Sequence, residues 1–251
     1  MRFEIITLFP ETFTGFLQTS LIGKAIASGK ITTHLHNIRD FTTGKHKQAD
    51  DRPYGGGPGM VLMADPIYKT IEHIKKRCKI PKTKPGIIAL APRGNRLTPK
   101  LAKTLSKQKQ LVLLCGHYEG FDERIFKYVD QEISIGDYVT QGGETPAMVL
   151  IEAISRFIPG VIKERASVKE DSFSIGVKAL LCAFQQEKSA KQSFDPAALL
   201  LDWPHYTRPR AWRKISVPKI LLSGHTKKIE QWRLDQALKA TQKRRPDLLK
   251  K

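Results

Sequence analysis

The stretch QLVLLCGHYEGFDERIFKYVDQEISIGDYVTQGGETPAM (110–148) decides the fold class. It opens on a continuous apolar run of strand length, Gln110–Cys115, the pattern of a parallel strand covered on both faces. A polar, glycine-punctuated loop follows, then a short helix at Asp122–Tyr128 and a second strand at Glu132–Ile135. Another glycine-rich loop leads into a helix at Thr145–Phe157. Strands alternating with helices specify an α/β domain with a mostly parallel sheet.

The same alternation extends toward the N-terminus. Phe3–Leu8, Ile31–Ile38 and Gly86–Ala91 read as strands, and Pro66–Lys79 as a helix with proline near its first position. Thr98 caps a helix over Thr98–Lys107. Glu11–Ser28 reads as one helix, with Phe13, Phe16, Leu17, Leu21 and Ile26 at helical spacing. A polar, glycine-rich loop runs from Thr42 to Gly59. Its YGGGPGM lacks the G-x-G-x-x-G frame of a strand-to-helix turn, which sets aside a Rossmann dinucleotide site.

Toward the C-terminus the texture changes. From Ile158 to Pro204 strand signals are few, and the segment reads as a linker with one helix near Val177–Ala190. Beyond it lies a small helical region with a helix over Lys227–Leu238. The resulting division is 1–160, 161–203 and 204–251. Residues 203–251 hold 14 Lys and Arg against three acids, in a chain whose formal charge is +19. Such an excess points to a polyanionic partner, because each neutralised phosphate releases counterions. Trp203, Tyr206, Trp212 and Trp232 are interleaved with those charges and bring a nucleic-acid reading level with that of a merely solvated face. The three cysteines, Cys78, Cys115 and Cys182, have neither metal-site nor redox-motif spacing, so reduced thiols and a cytoplasmic location are expected. The N-terminal MRFEIITLFPE lacks a signal peptide's apolar run, and no stretch approaches the ~20 apolar residues of a membrane span.

Four loops carry the candidate chemistry: DDRPYGGGPGM (50–60), CGHYEGFDER (115–124), SIGDYVTQGGETPAM (134–148) and SRFIPGV with EDSF (155–161, 170–173). Singly, each is an ordinary turn using glycine's freedom at positive φ. Together and in this order, with PHYTRP (204–209), VPKILLSGH (217–225) and the tail QWR…RRPDLL, they closely resemble the tRNA (guanine-N1)-methyltransferase family called TrmD. The resemblance spans nearly the whole chain. It implies a knotted, SPOUT-type parallel sheet and a homodimer with active sites formed at the interface. It also implies methyl transfer from S-adenosylmethionine to N1 of the tRNA guanosine 3′ to the anticodon. Periodicity alone could not reveal a knot, since knots are rare enough to be set aside by default.

By that resemblance the cofactor site comprises Leu90, Gly116, Tyr118, Glu119, Ile135, Gly136, Asp137, Tyr138, Val139, Thr140, Gly142, Gly143 and Pro146. Chemistry agrees, since glycines let backbone approach adenine and ribose, and strand C-termini are where parallel sheets bind ligands. Guanine N1 must lose a proton to accept a methyl group, and a carboxylate is a suitable base. Asp171 matches the family's base, and Arg156 its stabiliser of charge developing toward O6. Without the family, Asp171 would read as a helix cap and Arg156 as a dipole partner. Asp50, Arg52 and Gly59 are candidates for positioning the guanine, and Arg244 and Arg245 for gripping the RNA. The family's use of Mg2+ adds that ion, with Asp202 facing either it or the cofactor. No histidine is assigned to catalysis, and His34 and His36 read as surface residues of a strand.

The chain departs from the family pattern in three places. Residues 174–201 separate Phe173 from Asp202 where the family has only a few, which puts in question how Asp202 reaches the site. His117 stands where arginine is common, and Thr140 where leucine is common. Two rival readings are a non-enzymatic RNA-binding protein and a methylase of the same fold acting on another RNA site. The first leaves the glycine loops and EDSF without a role. The second, acting on a ribose hydroxyl, would not need Asp171 to take a base proton.

Overall fold

The computed structural model describes residues 1–78, 86–163, 170–176 and 198–249, and the chain divides into two compact units, Met1–Lys163 and Glu164–Lys251. The first unit is an α/β layer structure. Strands β1 (Arg2–Thr7), β2 (Thr32–Asn37), β5 (Ile87–Arg96), β6 (Gln110–Cys115) and β7 (Gln131–Ser134) form one sheet in the order β2-β1-β6-β5-β7. Every pairing in it is parallel, as the apolar runs led one to expect. Two-residue strands β3 (Asp50–Asp51) and β4 (Val61–Leu62) pair antiparallel inside and just after the long polar loop.

Alternation along the strands feeds two cores. Phe3, Ile5, Leu111, Leu113 and Ile88 pack on one face against helices α1 (Thr14–Gln18), α2 (Ser20–Ala27), α4 (Pro99–Leu105) and α5 (Glu144–Ser155). Ile6, Val112, Leu114, Ile87 and Ala89 pack on the other against α3 (Ala64–Cys78). Period-two side-chain direction lets a wholly apolar run serve both layers.

The structure corrects the expected elements in specific ways. The single helix over Glu11–Ser28 is a 3-10 turn (Pro10–Phe13) followed by α1 and α2. The break falls at Ser20, whose φ is 55°. Gly23 then lets α2 close on the end of α1, because a Cβ there would lie 2.5 Å from the Gln18 carbonyl oxygen. In consequence Leu21 is exposed, while Ile22 and Ala25 are buried. Strand β5 runs on to Arg96 through an irregularity between Leu90 and Asn95, and Gly94 presses so closely on β7 that a Cβ would meet the Ile133 nitrogen at 2.5 Å. Thr98 caps α4 as expected, its hydroxyl accepting from the Leu101 amide at 3.2 Å. His36 is not a plain surface residue: its Nε2 lies 2.6 Å from the wholly buried Glu4 carboxylate.

The second unit is smaller. The helix expected over Lys227–Leu238 extends as α6 (Thr226–Arg244). Its Leu234 and Ala237 pack with Ile175, Ala198, Leu200 and Trp203, so residues read as linker supply most of this core. Strands β8 (Ile175–Gly176) and β9 (Leu199–Leu200) pair antiparallel. Strands β10 (Ala211–Trp212) and β11 (Ile215–Ser216) make a hairpin turned by Arg213 and Lys214, both at positive φ. The helix expected near Val177–Ala190 lies outside the described residues. Among the described residues no helix is long and apolar enough to cross a membrane.

Candidate active site

The irregular stretch of β5 after Leu90 and the chain leaving β6 and β7 wall a cavity of about 420 Å³. That volume is in the range of small-molecule sites, roughly 300–1,000 Å³. Its lining draws on Leu90–Arg93, on Gly116–Phe121 and on the span from Ile133 to Pro146. Of the thirteen residues expected to hold the cofactor, Leu90, Gly116, Tyr118, Glu119, Ile135, Tyr138, Val139, Thr140, Gly142, Gly143 and Pro146 line this one cavity. Gly136 and Asp137 belong to the same loop but not to the lining. Asp137 is turned outward, 3.9 Å from the guanidinium of Arg96 and mostly exposed.

The cavity floor is a crossing of two loops that only glycine permits. The Gly143 amide donates to the Gly116 carbonyl at 2.7 Å, and His117 bridges to Gly142. A Cβ on Gly143 would sit 2.6 Å from the Gly116 nitrogen and 2.7 Å from the Cys115 Cα. Both neighbours are backbone and cannot swing aside. Close backbone approach of this kind is what a small-molecule cradle needs, and it explains the doubled glycine of TQGGET.

Behind the crossing lies Glu144, buried at the first turn of α5, where the helix dipole favours a carboxylate. It accepts from the Thr7 hydroxyl at 2.6 Å, and the His117 Nε2 lies 3.5 Å away. Burial, reinforced by the negative charge of Glu144, pushes the Cys115 thiol well above its ordinary range. On the opposite wall, Arg93 hydrogen-bonds to Glu123 at 3.0 and 3.2 Å and to Glu132 at 2.7 Å, and stacks over Phe126. Those two carboxylates, Glu123 foremost, hold its guanidinium firmly charged.

The long polar loop is tied to the rim. The Glu119 amide donates to the Met60 carbonyl at 3.0 Å, and the Leu62 amide to the Gly120 carbonyl at 2.9 Å. Gly59, at φ 87°, packs directly on the Glu119 side chain, leaving no room for a Cβ. Of the three residues expected to position guanine, Gly59 is thus brought to the rim. Arg52 lines a neighbouring cleft with Tyr54, Phe121 and Arg124, and Asp50 is held in β3 opposite Leu62. Arg156 is the exposed C-cap of α5.

In the second unit, EDSF forms a tight turn. The Ser174 amide donates to the Asp171 carbonyl at 3.0 Å, Phe173 has φ 66°, and its amide donates to the Leu200 carbonyl at 2.8 Å. Pairing of β8 with β9 brings Ile175 beside Leu200. Ser172 is thereby joined to Asp202 by a hydroxyl-to-carboxylate bond and by the Asp202 amide donating back at 2.9 Å. The 28 residues between Phe173 and Asp202 do not separate them in space. Arg244 is exposed on the last turn of α6, whereas Arg245 is paired with Asp247 at 2.7 Å and lies over the Phe173 ring.

Sequence reasoning flagged His117 only as a departure from the family, and it missed Arg93 and Phe121 as cavity residues and Glu144 behind them. A usable signal existed for Arg93, which follows the apolar run IIAL at the C-terminal end of a parallel strand. None existed for Glu144, whose partner Thr7 is 137 residues away.

Three parallel strands bringing glycine-crossed loops to one cavity define an α/β protein with a cavity of small-molecule size at the ends of its sheet. Residues 1–251 match the family model described as tRNA (Guanine-1)-methyltransferase TrmD, and the chain belongs to that family. It is 46% identical over 256 residues to the tRNA (guanine-N(1)-)-methyltransferase of Endomicrobium trichonymphae, covering 100% of both chains. To the protein of that name from Clostridioides difficile (strain 630) it is 44% identical over 252 residues, covering 100% of this chain and 98% of the relative. To that of Carboxydothermus hydrogenoformans it is 47% identical over 251 residues, covering 100% and 88%.

Proposed function

We propose that this chain methylates N1 of the guanosine 3′ to the anticodon of tRNA, taking the methyl group from S-adenosylmethionine. The observation that carries the reading is membership of the TrmD family along the whole chain. The cavity supports it: backbone cradled by Gly116, Gly142 and Gly143, with Tyr118, Ile135 and Tyr138 around it, suits a nucleoside held closely on several sides. S-adenosylmethionine, when bound there, supplies a methyl group already activated by its sulfonium.

The protein's task is alignment and proton removal. Asp171 accepts the N1 proton, the N1 electron pair forms the new bond to the methyl carbon, and the carbon–sulfur bond breaks to leave a neutral thioether. Arg156 offsets negative charge shifting toward O6. Asp50, Arg52 and Gly59 steer the guanine. The working assembly is a homodimer that shares its active sites, built on a knotted SPOUT sheet, and it acts in the cytoplasm, where its substrate is matured. Among the described residues no group of three His, Cys, Asp or Glu side chains gathers to hold a metal.

Incubating the purified chain with methyl-tritiated S-adenosylmethionine and a tRNA transcript tests the reading. Acid-precipitable label in the RNA is the expected result. RNA binding without label would return the chain to the class of RNA-binding proteins. Sedimentation near twice 28.3 kDa is expected at micromolar concentration, and a fully active monomer would contradict the shared site.

A further inference from the structure

The second unit contains a groove of about 670 Å³ that the methyl-transfer chemistry does not use. Its apolar floor is Leu221, Leu222 and Ile229, and its aromatic wall is Tyr206 with Trp232, ring centroids 6.5 Å apart. Tyr206 is half exposed, so an aromatic face is open to solvent. Arg208, Arg210 and Arg233 rim the groove, and among the described residues no acidic side chain lines it. Arg233 is anchored by stacking on the buried Trp203, with its Cζ 5.1 Å from the ring centroid. An aromatic face beside fixed guanidiniums, without a carboxylate, fits a planar base attached to a phosphate backbone. An acidic peptide would satisfy the charges but leave the aromatic wall without a planar partner.

We infer that this groove seats an unpaired nucleobase of the bound tRNA, stacked on Tyr206 and Trp232, with Arg208 and Arg210 on the flanking phosphates. The inference rests on the reading of the chain as a tRNA methyltransferase. Base stacking on aromatic side chains is sequence-tolerant, so the groove would hold different tRNAs without selecting among them. It would supply grip, while the guanine to be methylated is handled elsewhere.

The test is tRNA filter binding at several salt concentrations with the full chain, alongside calorimetry with S-adenosylmethionine and sedimentation. Tyr206→Ala should raise the tRNA dissociation constant about thirtyfold, the mid-range effect of losing one stacked base, with the log–log salt slope unchanged. Tyr206→Phe should restore affinity. Arg208→Gln and Arg210→Gln should each lower the slope by roughly 0.7–0.9. Cofactor affinity should stay constant in all four variants. Wild-type tRNA affinity that is indifferent to Tyr206 overturns the groove assignment alone. Dissociation of the Tyr206→Ala dimer would do the same, assigning the groove to a second copy of the chain. A wild-type chain with no tRNA affinity overturns the methyltransferase reading and this inference together.

Discussion

The two units solve different problems with different amounts of buried structure. The first sandwiches a five-stranded parallel sheet between two apolar cores, and its binding loops cross at backbone distances that tolerate no side chain. The second has one small core around α6, and its surface carries exposed arginines and half-exposed aromatic rings. A small cofactor must be enclosed and held rigidly, which requires deep burial and glycine. A large polyanion is held by many separate contacts on an open surface, which a thin core can support. On the proposed function, the glycine doublet and the arginine-rich tail are two answers to two ligand sizes.

The comparison breaks most visibly at Asp171. Asp171→Asn should lower methyl transfer by roughly 10²–10⁴-fold while cofactor affinity, assigned by the proposed function to the first unit, is unchanged. Single-turnover rates paired with calorimetry read both, and wild-type rates at neutral pH would remove Asp171 from the chemistry. Next in size is Gly143→Ala. Its Cβ would strike the Gly116 nitrogen and the Cys115 Cα, so overpacking should cost about 1–3 kcal/mol and abolish tight cofactor binding. Thermal melts and calorimetry check this, and an undisturbed variant would mean that the crossing is not tight.

The sequence carried the first unit's scaffold well and its exceptions poorly. Gln110–Cys115 is legible because a buried parallel strand has no polar face to confuse the pattern. The break at Ser20 is not, because Leu21 continues the helical spacing although the backbone has already turned. The cavity was readable as a set of loops in order, since their glycines sit where backbone must approach backbone. The Thr7–Glu144–His117 arrangement was unreadable, because it joins three distant segments through side chains that look ordinary in sequence. In the second unit, charge was legible by counting. The role of the supposed linker was not, since Ile175, Ala198 and Leu200 become a core only once β8 and β9 pair.

Arg244 and Arg245 sharpen the comparison within the basic tail. Arg244 is exposed, so Arg244→Glu should weaken tRNA binding and lower the salt slope by roughly 0.7–0.9. Arg245 is committed to Asp247 and to the Phe173 ring beside Asp171. Its substitution by Glu should therefore lower kcat and leave the slope almost unchanged. Equal slope changes in the two variants would contradict the distinction.

The smallest effect belongs to Asp122, whose carboxylate is held below its usual range mainly by its hydrogen bond to the Arg124 guanidinium. A carboxyl with a lowered folded value contributes stability above the ordinary Asp range, about 4. That contribution is lost as pH falls through the lowered value. Asp122→Asn retains the capping oxygen but not the charge. Its melting temperature should lie slightly below wild type at pH 7 and converge with it in acid, whereas a constant gap would assign the effect to something other than ionisation.

On the proposed function, the first unit and the cationic second unit together methylate one base atom. Nuclease digestion and mass spectrometry of a tRNA transcript treated with the chain and S-adenosylmethionine address it most directly. The expected product is 1-methylguanosine at the position 3′ to the anticodon, absent when that guanosine is replaced by adenosine. A methyl group on a ribose, on another base, or at a site indifferent to that replacement would contradict the account.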